Sequence, residues 1–322
     1  MADLMKAVDI RGGKGERDAL FMNPQTPKPS PTEGQALSSG AASTRFRLKP
    51  PQRWASSSVA LSSLFGPGDH GAFKQGDEVF GLAYGGAYAE YLAVSTRMLL
   101  HKPSSMDFTT CAGVPETWIT ATQALHLVLG FTKGKSILWH AGASGVSVAG
   151  IQLSRIAGAS QVFATAGSQE KCDFITSKLG ATAAFNYKTQ DWAEEIKKHT
   201  DGNGVDYIVD FVGGSYFQQN QTAAARDGRI VLLGTLGGVK IPEADISQIL
   251  YKRLRIEGST LRSRDEEYQG KLRDRLEEYL PDFESGKLKI FVDKVLPWEE
   301  IQEAHKHMEE AKNLGKIICT IS

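Results

Sequence analysis

The stretch that most constrains the fold is 136–171, SILWHAGASGVSVAGIQLSRIAGASQVFATAGSQEK. Residues 136–140 form a short apolar run with the length of a buried parallel strand. Gly142-Ala143-Ser144-Gly145 breaks the run. From 146 to 156 the apolar positions Val148, Ile151, Leu153 and Ile156 return at roughly helical spacing. Gly158 closes that helix, and Val162-Phe163-Ala164-Thr165 predicts a second strand.

A turn of this kind gathers backbone N–H groups and a helix N-terminus at one point, where a pyrophosphate can sit. Side chains would block its approach, so glycine and alanine suit the position. The pattern is that of a dinucleotide-binding βαβ unit, although a GxxG turn also occurs in plain structural units. Ser147 stands where the usual fingerprint has its third glycine, which predicts looser helix–strand packing.

An NAD site usually places Asp or Glu at the end of the second strand. Here the strand ends in Ala166-Gly167-Ser168, followed by Gln169, Glu170 and Lys171. Ser168 and Lys171 can hold a phosphate by hydrogen bond and charge, which favours NADPH over NADH. The same residues also read as an ordinary helix N-cap with a solvated lysine, and Glu170 lies beside them.

The rest of the chain repeats the alternation. Strands are predicted at 183–187, 205–211, 229–233 and 255–258, with a helix at 191–199. Small residues follow several of these strands, at 212–215, 234–238 and 259–263, where ligands bind in parallel sheets. Such βα alternation implies a doubly wound parallel sheet. Towards the N-terminus, 5–10 and 19–22 suggest a hairpin, 24–31 an extended loop, 74–79 a turn feeding a strand, and 87–94 another strand. A helix is expected from about Thr109.

With 322 residues the chain is long enough for two domains. Lys+Arg and Asp+Glu are both 37, so bulk charge draws it to neither nucleic acid nor membrane. No signal core or membrane-spanning apolar run is present in the sequence. Cys111, Cys172 and Cys319 are too few and too scattered for a disulfide framework or a zinc cluster. These features predict a cytoplasmic protein with reduced thiols.

Residues 38–65 differ from their surroundings. They are rich in serine and arginine, with no acidic residue. A disordered basic loop is one reading and an RNA-contacting segment another, through Arg45, Arg47, Lys49 and Arg53. Phe46 and Trp54 are the only aromatics interleaved with those charges, which makes the nucleic-acid pattern weak.

Taken together, VPETWITA (114–121), HAGASGV (140–146), TAGSQEK (165–171), FNYK (185–188), GGSY (213–216), LRSR (261–264) and EAHK (303–306) resemble the zinc-independent medium-chain dehydrogenase/reductases of the quinone oxidoreductase (zeta-crystallin-like) family. The nearest resemblance is to the subgroup of the p53-inducible quinone oxidoreductase. It covers 66–322 nearly continuously and 5–37 more loosely.

The resemblance implies an α/β chain with a GroES-like β-rich catalytic domain, 1–118 and 259–322, and a doubly wound parallel-sheet (Rossmann) dinucleotide-binding domain, 119–258. It implies hydride transfer from NADPH to quinones or to enones and alkenals, without a metal. It also implies a homodimer joined edge to edge through the parallel sheet, near 255–261. The cofactor positions it carries over are Thr120 near the nicotinamide and Ser144, Gly145 and Val146 at the pyrophosphate. Gly167, Ser168 and Lys171 fall at the 2′-phosphate, with Tyr187 near the adenosine. Ser215, Leu261, Arg262, Ser263, Asn313 and Lys316 would complete the site. No side chain is assigned as acid or base, and His140 and His305 read as structural.

The family pattern breaks at 38–65, where a strand, a helix start, a tyrosine–proline loop and the strand LGVEFSG are expected and their motifs are missing. Codons for 54–60, WASSSVA, read one base out of frame permit LGVEFSG, which suggests a shortened, frame-shifted segment. Loss of a helix and two strands would open the β-rich domain and disable catalysis. A non-catalytic nucleotide- or RNA-binding protein is therefore the alternative to the enzyme.

Overall fold

The computed structural model describes residues 3–10, 17–39, 42–43, 57–68, 70–83, 85–241 and 243–321, with the backbone alone at 39, 42–43 and 57–64. The chain forms two compact units, 1–119 with 264–322, and 120–263.

The first unit opens with β1 (Leu4–Ile10) antiparallel to β2 (Leu20–Pro27). The second strand runs through Pro24 and Pro27, part of the predicted loop. Among the described residues it pairs with β1 alone, so its prolines sit on an edge where no second ladder needs their N–H. Then come β3 (Gln35–Ser39), β4 (Ala42–Ser43), β5 (Ser57–Phe65), β6 (Glu78–Leu82), β7 (Tyr91–Ser95) and β8 (Leu99–His101). Ala87 and Tyr88, predicted as strand, precede β7 and are buried in the core beside Trp298 and Ile317. Helices α1 (Phe108–Ala112), capped by the Asp107 carboxylate on the Thr110 amide, and α2 (Pro115–Thr122) follow.

Two of the strands expected to be missing from 38–65 are present. β5 is antiparallel to β3, β4 and β6, and β3 to β7. Ladder bonds are made by backbone groups, so a segment lacking the expected motif still fills a place in the sheet. Arg45, Phe46, Arg47, Lys49, Arg53 and Trp54 lie outside the described residues.

The second unit alternates strand and helix: β9 (Ser136–Trp139), α3 (Gly145–Ile156), β10 (Gln161–Ala166), α4 (Gln169–Ser177), β11 (Ala183–Asn186), α5 (Trp192–His199), β12 (Val205–Asp210), α6 (Phe217–Ala223), β13 (Ala224–Leu232), α7 (Ser247–Tyr251) and β14 (Arg255–Gly258). All six strands are parallel, in the order β11-β10-β9-β12-β13-β14. This is the doubly wound order, and it reverses between β9 and β12, where ligands bind beyond the carboxyl ends. Leu138, Phe163, Trp192, Ile196 and Ile208 fill the core beneath that point.

The chain then returns to the first unit with α8 (Glu266–Glu277), α9 (Leu280–Glu284), β15 (Val292–Pro297), α10 (Ile301–Glu309) and β16 (Lys316–Thr320). β16 pairs parallel with β15 and antiparallel with β4, which completes an eight-stranded sheet.

Candidate functional site

The site is built on the carboxyl ends of β9, β10, β11 and β12. His140 follows β9, after which Ala141 adopts φ 48 and its carbonyl accepts the Ser144 amide at 2.8 Å. A Cβ on Gly142 would stand 2.7 Å from Ile175 Cδ1 and 2.8 Å from Ala164 Cβ, so only glycine fits. Ser144 caps α3, accepting from the Ser147 amide, and Gly145 and Val146 open the helix beside it. The Gly142 amide donates to Thr165 O at 2.8 Å and ties this turn to β10. A turn with free first-turn amides and the positive end of a twelve-residue helix suits a pyrophosphate.

Ser147 does not loosen the packing. It is fully buried, and its hydroxyl donates to His140 O at 2.7 Å, a bond glycine would lack. The close approach of helix to strand occurs one turn later, at Gly150. A Cβ there would overlap the indole of Trp139, whose Nε1 donates to Ser154 Oγ at 3.0 Å.

β10 leads into Gly167 and Ser168. A Cβ on Gly167 would meet the Tyr187 hydroxyl at 2.6 Å. Ser168 caps α4 by accepting from the Lys171 amide at 3.3 Å, which leaves its O–H available to donate. Lys171 is half-buried, and Tyr187, 45% exposed, follows β11 with its amide on Ala166 O at 3.1 Å. No carboxylate stands at the end of β10.

Beneath these turns lies a buried polar line. His140 Nδ1 meets Thr165 Oγ1 at 2.9 Å and Nε2 meets Asn220 Oδ1 at 2.7 Å. Asn220 Nδ2 donates to Asp210 Oδ2 at 2.9 Å. Asp210 also accepts the amides of Val212 at 2.6 Å and Gly213 at 3.1 Å. Burial holds the His140 imidazole below its ordinary pKa, against the opposing pull of Asp210 and Asn220. With both nitrogens engaged and no exposure, His140 has no route to act as an acid or base. His305 is likewise buried, on α10, and burial followed by Arg17 pushes its pKa down to about 3.

The other expected positions are spread over both units. Ser215 is exposed, with Gly237 leaving room for its hydroxyl. Thr120 is buried near the end of α2. Leu261 is buried, Arg262 half-buried and Ser263 exposed, in a turn where Ser263 and Thr260 hydroxyls bond and Gln123 Nε2 donates to Thr260 O at 3.3 Å. Asn313 and Lys316 are buried in the first unit, where Asn313 Nδ2 donates to Gly315 O at 3.0 Å. Asp210, Asn220 and Gly150 had no place in the sequence-based set. The acid that closes the run VDYIVD was the available signal for Asp210.

Among the described residues no three His, Cys, Asp or Glu side chains gather to hold a metal, and the three cysteines are free and buried. No helix among them is long and apolar enough to cross a membrane.

The family described as zinc-binding dehydrogenase matches residues 145–278. The chain is 28% identical over 252 residues to a quinone oxidoreductase of Homo sapiens, covering 78% of this chain and 74% of that one. Among solved structures it is similar to an NAD-dependent alcohol dehydrogenase, with TM-score 0.84, 28% identity and coverage of 99% and 100%. It is also similar to the CurK enoyl reductase, with TM-score 0.81, 27% identity and coverage of 99% and 100%.

Proposed function

We propose that this chain, which belongs to the medium-chain dehydrogenase/reductases and is an oxidoreductase of their quinone oxidoreductase-like group, transfers hydride from NADPH to a quinone without a metal. The observation that carries the choice of cofactor is the end of β10. A glycine, a hydroxyl with a free O–H and a lysine stand where a ribose-binding carboxylate would select NAD. Such a turn suits a 2′-phosphate, which a carboxylate would repel.

When bound, NADPH supplies the hydride, and a quinone accepts it with a proton to become the hydroquinone. The chain's own part is to bind and orient. The amides opening α3 hold pyrophosphate, Ser168 and Lys171 hold the 2′-phosphate, and Tyr187 offers a face to adenine. From the resemblance, Thr120 lies at the nicotinamide, with Ser215, Leu261, Arg262, Ser263, Asn313 and Lys316 completing the site. Proton transfer comes from solvent, since neither buried histidine can supply it. The likeness to an enoyl reductase favours an enone as the second candidate acceptor. The absence of cysteine before Cys111 supports a zinc-free site. The protein is cytoplasmic and forms a homodimer through β14.

A fluorescence titration of the purified chain with NADPH and NADH tests the reading. NADPH binds more tightly, and Lys171→Ala weakens it by roughly tenfold or more while leaving NADH nearly unchanged. Equal loss for both nucleotides would remove Lys171 from the phosphate. Turnover with a quinone and with an enone then separates the two acceptors.

A further inference from the structure

We propose that His140, Asn220 and Asp210 are positioning residues that hold the two phosphate turns and the loop bearing Ser215 in a cofactor-ready arrangement. The inference rests on the nucleotide site proposed above, and adds to it residues that never touch the nucleotide.

Hydrogen-bond directions follow from the ends of the line. A carboxylate only accepts, so Asn220 Nδ2 donates to Asp210 and Asn220 Oδ1 accepts from His140 Nε2–H. His140 Nδ1 is then an acceptor and takes the Thr165 hydroxyl proton. The Tyr216 ring packs edge-on to His140, with centroids 4.8 Å apart. One uninterrupted line therefore runs from Thr165 through His140 and Asn220 to Asp210.

His140, Thr165 and Asp210 each also fix a ligand-bearing turn. The His140 carbonyl receives Ser147 Oγ, and its amide donates to Val209 O at 3.1 Å, so the ring is rigidly tied to the pyrophosphate turn. Thr165 O receives the Gly142 amide, and Thr165 is three residues before Ser168. Asp210 gathers the amides of Val212 and Gly213, and Gly213 holds φ 80. Gly214 N then bonds Gly238 O at 2.9 Å, which carries the restraint to the next loop.

Such a network is costly to bury. Apolar residues of the same volume would hold a core as well or better. Located at the switch point of the sheet, joining three loops, its return is geometry. The substrate-side loops need that geometry held to a fraction of an ångström.

The test uses the full chain with Asp210→Asn, Asn220→Asp, the double exchange, and Thr165→Val, read by NADPH and NADH titration and by melting temperature. Each exchange alone breaks a charge-assisted bond and weakens nucleotide binding by roughly tenfold or more. In the double exchange the residue at 220 accepts from both neighbours while that at 210 still accepts backbone amides. Binding therefore recovers most of the loss. Thr165→Val, nearly isosteric, gives a several-fold loss in a chain that melts close to the parent and keeps the proposal testable if the exchanges fail to fold. Variants that lose melting temperature yet bind as the parent does would overturn the positioning role alone. A parent chain that binds neither nucleotide overturns the proposed function, and the positioning role falls with it.

Discussion

At Gly150 a single hydrogen atom decides how close a helix comes to a strand. Any Cβ there overlaps the Trp139 ring, which is fully buried and tethered to Ser154. Gly150→Ala forces helix and indole apart and costs about 1–3 kcal/mol. A lower urea midpoint at unchanged slope is the expected measurement, and an unchanged midpoint would show that the indole moves freely. His305 argues at the same scale through its charge. Its folded pKa of about 3 lies below the ordinary 6.5, so between those values the unfolded chain holds the extra proton. Stability from this group is complete above pH 6.5 and is lost as pH falls towards 3. His305→Gln therefore flattens the acid limb of a plot of unfolding midpoint against pH. A limb of equal steepness would assign that loss to other groups.

Elements were legible where a single pattern decided them. β14 falls at the predicted 255–258, and β9, α3, β10, β11, α5 and β12 lie within a residue or two of their predicted bounds. Short buried runs between glycines have one parallel-sheet solution, and Asp191 announces α5 by accepting the amides of Ala193 and Glu194. β13 begins at Ala224, well before the predicted 229, because it follows α6 directly and its start carries the polar residues Arg226 and Asp227. What holds that junction comes from far along the chain. Lys252 Nζ donates to the carbonyls of Gln221, Thr222 and Ala224 at 2.8–2.9 Å, closing the end of α6. No local rule foretells such a cap. The same limit hid the buried line. Asn220 lies in the helix α6 and meets His140 only because β12 lies beside β9. The turns after β9 and β10, in contrast, depend on residues adjacent in sequence, and their form could be read directly. β5 went unread because a serine-rich run shows little alternation, while backbone pairing on both sides makes it a strand.

At the scale of the whole molecule the open question is the free side of β14. Among the described residues its one partner is β13, so its outer ladder faces away from the sheet. The segment before it exposes large apolar side chains, with Val239 and Leu250 each 75% exposed and Tyr251 68%. An unpaired edge next to exposed apolar residues is a liability for a lone chain and an asset for an interface. A second copy satisfies it with one operation. A two-fold axis through Ile256 pairs the edges antiparallel, sets Arg255 against Glu257, and joins two six-stranded sheets into one. The expected sedimentation mass is thus twice 35.0 kDa. Leu250→Glu with Tyr251→Glu places four charges at that contact and returns the chain to 35.0 kDa. Nucleotide binding as proposed above persists in the monomer, because none of the residues proposed to hold it lies on β14. A parent chain that sediments as a monomer leaves the edge to some other role.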